Sequence, residues 1–189
     1  SPAMLLEKLI EYEAVHSVVS WDDLKNRLDS DRRVFAFFHN KMPLEPLIFV
    51  HVALVDGMSN NIQQLLDEKS PVMDVAKADT AIFYSISNAQ KGLSGISFGN
   101  FLIKQVVGVL SSEMKNIKTF ATLSPIPNFS HWLNGIENKI DDIISEEEHG
   151  ILKLMDGQWY KDKNQAAALK PVLMKLCAHY LLNEKKKDK

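Results

Sequence analysis

With 189 residues, 46% of them hydrophobic, the chain can bury one sizeable core and is expected to fold as a single unit spanning residues 1–189. Its formal charge of −2, with the arginines confined to Arg27, Arg32 and Arg33, lacks the concentrated basic face that nucleic acid requires, so no nucleic-acid partner is expected. No apolar run approaches the roughly 20 residues that cross a bilayer and no charged leader precedes an apolar stretch, so no membrane partner is expected either, and the single cysteine, Cys177, excludes an internal disulfide.

The chain opens on an amphipathic helix, with Ser1 and Pro2 suited to its cap and first position and Leu5, Leu6, Leu9 and Ile10 on one face. Ser20 and Asp23 have capping-box spacing ahead of Leu24 and Leu28, which predicts a short helix over 21–28. Two apolar runs, 34–39 and 47–54, read as paired strands around a loop containing Pro43 and Pro46. The second is apolar at successive positions, as in a strand covered on both faces. Ser59 is the expected cap of a helix carrying Ile62, Leu65 and Leu66.

After a polar stretch, residues 80–87 form a third predicted strand, followed by small and polar residues through Gly99. Phe98, Phe101, Leu102, Val106, Val109 and Leu110 then repeat with helical period, and 119–123 is a short β-like run ending at Ser124 and Pro125. The final third reads as helical: Trp132, Leu133, Ile136, Ile140, Ile143 and Ile144 are predicted on one face, and Leu169, Val172, Leu173, Leu176 and Tyr180 on another. Cys177 fits a helix as a small apolar residue, and Glu146, Glu147 and Glu148 fit a solvated loop or a helix start better than a metal site.

Gly92, Gly95 and Gly99 lie between a strand and a helix, where glycines serve either a tight connection or a pyrophosphate cradle under the helix's positive end. Their spacing fits neither the P-loop nor the dinucleotide fingerprint, and Lys91 and Lys104 are the nearby cations. Ser124 is held in extended chain by Pro125 and Pro127 at the mouth of the sheet, where a serine is either a turn or cap residue or a catalytic group. No Gly-x-Ser-x-Gly elbow surrounds it. His131 is seven residues further on, and the other histidines, His16, His39, His51, His149 and His179, show no metal-ligand spacing, so no metal is expected.

The segments Glu11-Tyr12-Glu13-Ala14-Val15-His16, Glu45-Pro46-Leu47, Val52-Ala53-Leu54 and Ala81-Ile82-Phe83-Tyr84-Ser85-Ile86-Ser87 resemble, in that order, malonyl-CoA decarboxylases. Two longer blocks are more specific: Gly92-Leu93-Ser94-Gly95-Ile96-Ser97-Phe98-Gly99-Asn100-Phe101-Leu102-Ile103-Lys104 and Leu123-Ser124-Pro125-Ile126-Pro127. The resemblance covers nearly the whole chain and is weakest over 67–78 and 138–163. It implies an α/β fold of the GNAT acyltransferase kind: a mixed sheet flanked by helices and splayed between two strands to admit a pantetheine arm, with additional helices in the C-terminal third.

By the same resemblance, Ser124 is the active-site serine, and Ser94, Gly95, Ile96, Ser97, Phe98, Gly99 and Asn100 line the malonyl-CoA phosphates. The acyltransferase loop pattern of Arg or Gln, two residues, Gly, one residue, Gly or Ala is not kept, although Gln90 lies close. The family pairs its serine with a histidine in a Phe-His-Leu segment followed by Asn-Gly-Ala, a motif these residues lack. The chain is therefore expected to be part of a longer enzyme, without that histidine and without the helical domain that precedes the catalytic one. The implied reaction converts malonyl-CoA to acetyl-CoA and carbon dioxide with no redox or metal cofactor. A homo-oligomer and a bacterial cytoplasmic setting are expected, with mitochondria or peroxisomes as the eukaryotic counterparts. An acyl-CoA acyltransferase and a non-catalytic CoA-binding module are the competing readings.

Overall fold

The computed structural model describes residues 3–93, 96, 98–136 and 140–185. The chain packs as two compact units, residues 1–124 and 125–189. The first holds a four-stranded mixed sheet with flanking helices and the second is helical, the elements expected from the sequence, but divided into two units where one was expected.

In the first unit, helix α1 (Ala3–Tyr12) precedes α2 (Trp21–Asn26), and the strands β1 (Arg32–His39), β2 (Met42–Val55), β3 (Thr80–Asn88) and β4 (Thr119–Thr122) lie side by side in chain order. The first two pairings are antiparallel, and β3 pairs parallel with β4. Helix α3 (Ile62–Leu66) lies between β2 and β3, and α4 (Phe98–Glu113) makes the crossover that a parallel pair requires.

Three local details depart from the sequence reading. Pro43 and Pro46 lie inside β2, not in a loop, and the turn is Asn40 and Lys41. Residues 42–46 overhang the end of β3, whose pairing begins at Ile48 opposite Asn88, and the register against β1 is irregular there, so a missing N–H interrupts no ladder on the β3 side. The cap of α3 is Asn61, whose side chain accepts from the N–H groups of Gln63 and Gln64, in place of Ser59. Helix α2 stops at Asn26 and not at Leu28; Ser20 caps it by accepting from Asp23 N–H at 2.9 Å, while the Asp23 carboxylate reaches back to Val19 N–H at 3.0 Å.

Strand β2 is covered on both faces, as its unbroken apolar run predicts. Ile48, Val50, Val52 and Leu54 join Ala81 and Phe83 of β3 against Leu102, Val106 and Leu110 of α4, one turn apart along that helix. On the opposite face Ala53, Ile82 and Tyr84 pack with Leu65 and, at the margin, with Leu123. Between these faces β3 carries a bulge: Phe83 is opposite Val52 and Ser85 is opposite His51, leaving Tyr84 as the extra residue. The bulge turns Ser85 and Ser87 to the face that carries His51.

The second unit comprises α5 (Phe129–Gly135), α6 (Glu146–Leu152) and α7 (Lys163–His179), with a closing π-helical turn at Tyr180–Glu184. Leu133, Ile140, Ile144, Val172 and Leu176 form its core. The isoleucines predicted on one helix face with Trp132 therefore do gather, but from the C-cap of α5, Ile136, from a separate 3-10 turn, Ile140–Asp142, and from Ile143 and Ile144 just after it. Glu146, Glu147 and Glu148 are the first turn of α6, and Ser145 with Glu148 completes a capping box. Cys177 lies in α7, half-buried, where burial pushes its thiol pKa up.

Candidate functional site

Strands β3 and β4 pair only from Thr80 opposite Thr119 to Phe83 opposite Thr122, and Leu123 N–H then donates to Phe83 O at 2.9 Å. Ser124 is the next residue, exposed, and it is followed by Pro125, which has no N–H to extend the ladder. Strand β3 itself continues to Asn88. Because Ala89 N–H donates to Leu47 O at 3.0 Å, strand alternation directs the main-chain groups of Ile86 and Asn88 away from β2, toward the side β4 has left. An open strand edge and a serine thus share the place where the parallel strands end.

The glycine-bearing loop connects that edge of β3 to α4. Of its candidate residues, Ser94, Gly95 and Ser97 lie outside the described residues. Ile96 is exposed and accepts from Phe98 N–H at 2.8 Å; Phe98 is half-buried against the α4 core cluster; Asn100 is exposed in the first turn. Gly99, also in that turn, packs on the sheet: a Cβ there would lie 3.3 Å from Ile86 Cγ2 and 3.8 Å from Ile48 Cδ1. Its smallness therefore serves the fit of helix to sheet. Lys91 and Lys104 are exposed, and the opening N–H groups of a helix of 16 residues carry partial positive charge.

Behind the sheet lies a polar cluster that the residue patterns did not single out. Glu13, just past α1, accepts from Val15 N–H at 2.8 Å, from His16 N–H at 3.0 Å and from Ser85 Oγ, which lies 2.6 and 2.8 Å from its two carboxylate oxygens. His51 Nε2 is 3.2 Å from Glu13 Oε2, with both side chains fully buried, and Ser87 Oγ accepts from Ala14 N–H at 3.1 Å. Burial pushes the Glu13 carboxyl pKa up, but the adjoining His51 imidazole and hydrogen bonds from Ser85 and His16 N–H outweigh it and hold the group at about 2. The available signal was a histidine and two serines inside apolar strands, since a buried polar side chain needs a partner. Ser85 is no hydrolase nucleophile: it is buried and its hydroxyl bonds a carboxylate, not an imidazole nitrogen.

In the second unit, His131 is exposed in α5. Tyr180 donates its hydroxyl to Pro127 O at 2.9 Å, and Phe129 and Trp132 pack on its ring, so the proline segment after Ser124 is anchored by the end of α7. Among the described residues, no group of three His, Cys, Asp or Glu side chains could hold a metal.

The model of one protein family, the malonyl-CoA decarboxylase C-terminal domain, matches residues 1–189. Malonyl-CoA decarboxylase, mitochondrial, of Rattus norvegicus is 40% identical over 207 residues, covering 98% of this chain and 42% of that protein. The protein of the same name from Anser anser anser is 40% identical, covering 98% of this chain and 41% of its own length. Among solved structures, malonyl-CoA decarboxylase from Agrobacterium vitis superposes with a TM-score of 0.87 at 45% identity, covering 95% of this chain and 45% of that one. The Rhodopseudomonas palustris enzyme gives 0.86 at 46% identity, covering 95% and 44%. The chain thus spans less than half the length of these relatives, and it belongs to the malonyl-CoA decarboxylase C-terminal domain family.

Proposed function

We propose that this chain forms part of the catalytic domain of a malonyl-CoA decarboxylase, converting malonyl-CoA to acetyl-CoA and carbon dioxide. The observation that carries the reading is an exposed Ser124 at the point where β3 and β4 part, beside the edge of Ile86 and Asn88 that no strand among the described residues pairs. An extended pantetheine arm fits such a gap as an added strand, hydrogen-bonding to the free main-chain groups. By the family resemblance, the loop from Ser94 to Asn100 serves the phosphates, with the start of α4 supplying N–H donors.

Cleavage of the bond between the α-carbon and the malonyl carboxylate leaves the electron pair on the thioester as an enolate. The site must stabilise the growing charge on the thioester oxygen and deliver a proton to the α-carbon. The thioester is its own electron sink, so the proposed reaction needs no metal or redox cofactor. Ser124, paired with the family's histidine, orients the departing carboxylate and handles the proton. The proposal extends to self-association of the whole enzyme, as the family resemblance implies. A bacterial cytoplasmic setting is part of the proposal, with mitochondria as the eukaryotic counterpart, since two relatives carry a mitochondrial name.

The test is mass-resolved chromatography of malonyl-CoA incubated with the protein extended through the family's histidine segment, with Ser124→Ala as control. Acetyl-CoA release that falls about a hundredfold or more in the variant, with CoA affinity retained, is expected for a group acting only in the transition state. An unchanged rate in Ser124→Ala overturns the serine's role. Free CoA as the only product replaces decarboxylation with hydrolysis.

A further inference from the structure

The stretch of β3 beyond Phe83 has lost β4 on one side, yet its free edge must be fixed to within a fraction of an ångström to serve a reaction. Besides β2, the restraint comes from behind. Ser85 and Ser87 lie on either side of Ile86, and both are tied to the segment after α1: Ser85 to the Glu13 carboxylate, Ser87 to Ala14 N–H. His51, opposite Ser85 across the β2–β3 pairing, closes on the same carboxylate.

A buried carboxylate is a costly way to fill a sheet face that alternating apolar residues fill elsewhere in this unit. What it provides is direction, because its converging hydrogen bonds fix where Ser85 sits, and Ser85 is the first residue after the bulge. We propose that Glu13, His51, Ser85 and Ser87 are positioning residues: they clamp β3 from behind the sheet and so set the open main-chain edge at Ile86 against which the substrate lies. The substrate part of this inference rests on the decarboxylase reading. None of the four is catalytic, since all are buried and the carboxylate and imidazole are sealed from solvent.

Two measurements test the clamp. Amide hydrogen exchange on the chain compares Leu123, whose N–H bonds Phe83 O next to the bulge, with Phe35 and Val50, paired in β1 and β2. In Ser85→Ala and Glu13→Gln the Leu123 amide is expected to exchange about tenfold faster or more, with Phe35 and Val50 within about twofold of wild type and Ser85→Thr largely restored. Unchanged exchange at Leu123, or equal acceleration everywhere, overturns the proposal; the second result would mark the cluster as general stabilisation. Steady-state turnover of malonyl-CoA by the full-length protein is the second readout. The variants should lower kcat about tenfold or more while KM stays within about threefold. Wild-type protein that makes no acetyl-CoA sinks the decarboxylase reading, and exchange at Leu123 still decides the clamp. Active wild type with unaffected variants sinks the clamp and leaves the activity standing.

Discussion

Replacing Arg27 by alanine removes four hydrogen bonds at one stroke. Its guanidinium donates to Asp23 Oδ1 at 2.6 Å and Oδ2 at 2.9 Å, to His16 O at 2.7 Å and to Ser17 O at 3.1 Å. Arg27 is 2% exposed and Asp23 4%, so the alanine variant leaves a buried carboxylate facing a void and two main-chain carbonyls without their donor. Breaking a buried pair in this way costs about 3–5 kcal/mol, against a stability of about 5–15 kcal/mol for an ordinary domain. With a urea slope of about 1–3 kcal/mol per molar, the midpoint should fall by more than about 1 M. Trp21 fluorescence follows the first unit, while Trp132 and Trp159 belong to the second and serve as internal comparison. A double variant, Arg27→Met with Asp23→Leu, should recover much of the loss because no charge is stranded. An Arg27→Ala midpoint within error of wild type would refute the reasoning, since it would mean water or another donor satisfies Asp23 at no cost.

Among the described residues the buried Tyr84 hydroxyl has no hydrogen-bond partner, and burial pushes its pKa well up. Tyr84→Phe should therefore raise stability by about 1 kcal/mol, seen as a higher urea midpoint at unchanged slope. At Gly99, valine should destabilise by about 1–3 kcal/mol by displacing Ile86 and Ile48, and the same displacement should raise the malonyl-CoA KM. A normal KM in a destabilised Gly99→Val protein would separate the packing of this glycine from substrate binding. The pKa of Glu13 is lower in the folded state than in an unfolded chain, so the stability it confers is complete above the unfolded value. That stability is lost as pH falls from about 4.3 toward about 2. Urea midpoints from pH 5 to pH 2.5 should show this loss, and Glu13→Gln should flatten it.

Elements were legible where a single physical signal controlled them. The unbroken apolar run of β2 announced a strand covered twice, and the helical spacing of Leu102, Val106 and Leu110 announced the face of α4. The position of Ser124 at a strand end followed from the prolines after it. What stayed hidden depended on partners distant in sequence. Pro46 reads as a loop residue until one knows that β3 pairing starts at Ile48, beyond it. His51 reads as a stray polar residue until Glu13 and Ser85, 72 residues apart, meet beside it. The bulge at Tyr84 leaves no local trace, because a shift in register appears only when two strands are laid together. Gly99 carried two meanings, and the closeness of Ile86 adds the packing one to its place in the loop.

The order of assembly also follows from the sheet. Strands β1, β2 and β3 form an antiparallel meander, but the parallel β4, paired over only four residues, can dock only after α4 has crossed the sheet and packed. The cost of closing that crossover loop falls on the last strand, and its few hydrogen bonds repay little until the helix is in place. Ser124 hangs from the end of that strand, so loop closure is expected to bring it into place last during folding and fraying of the edge to release it first.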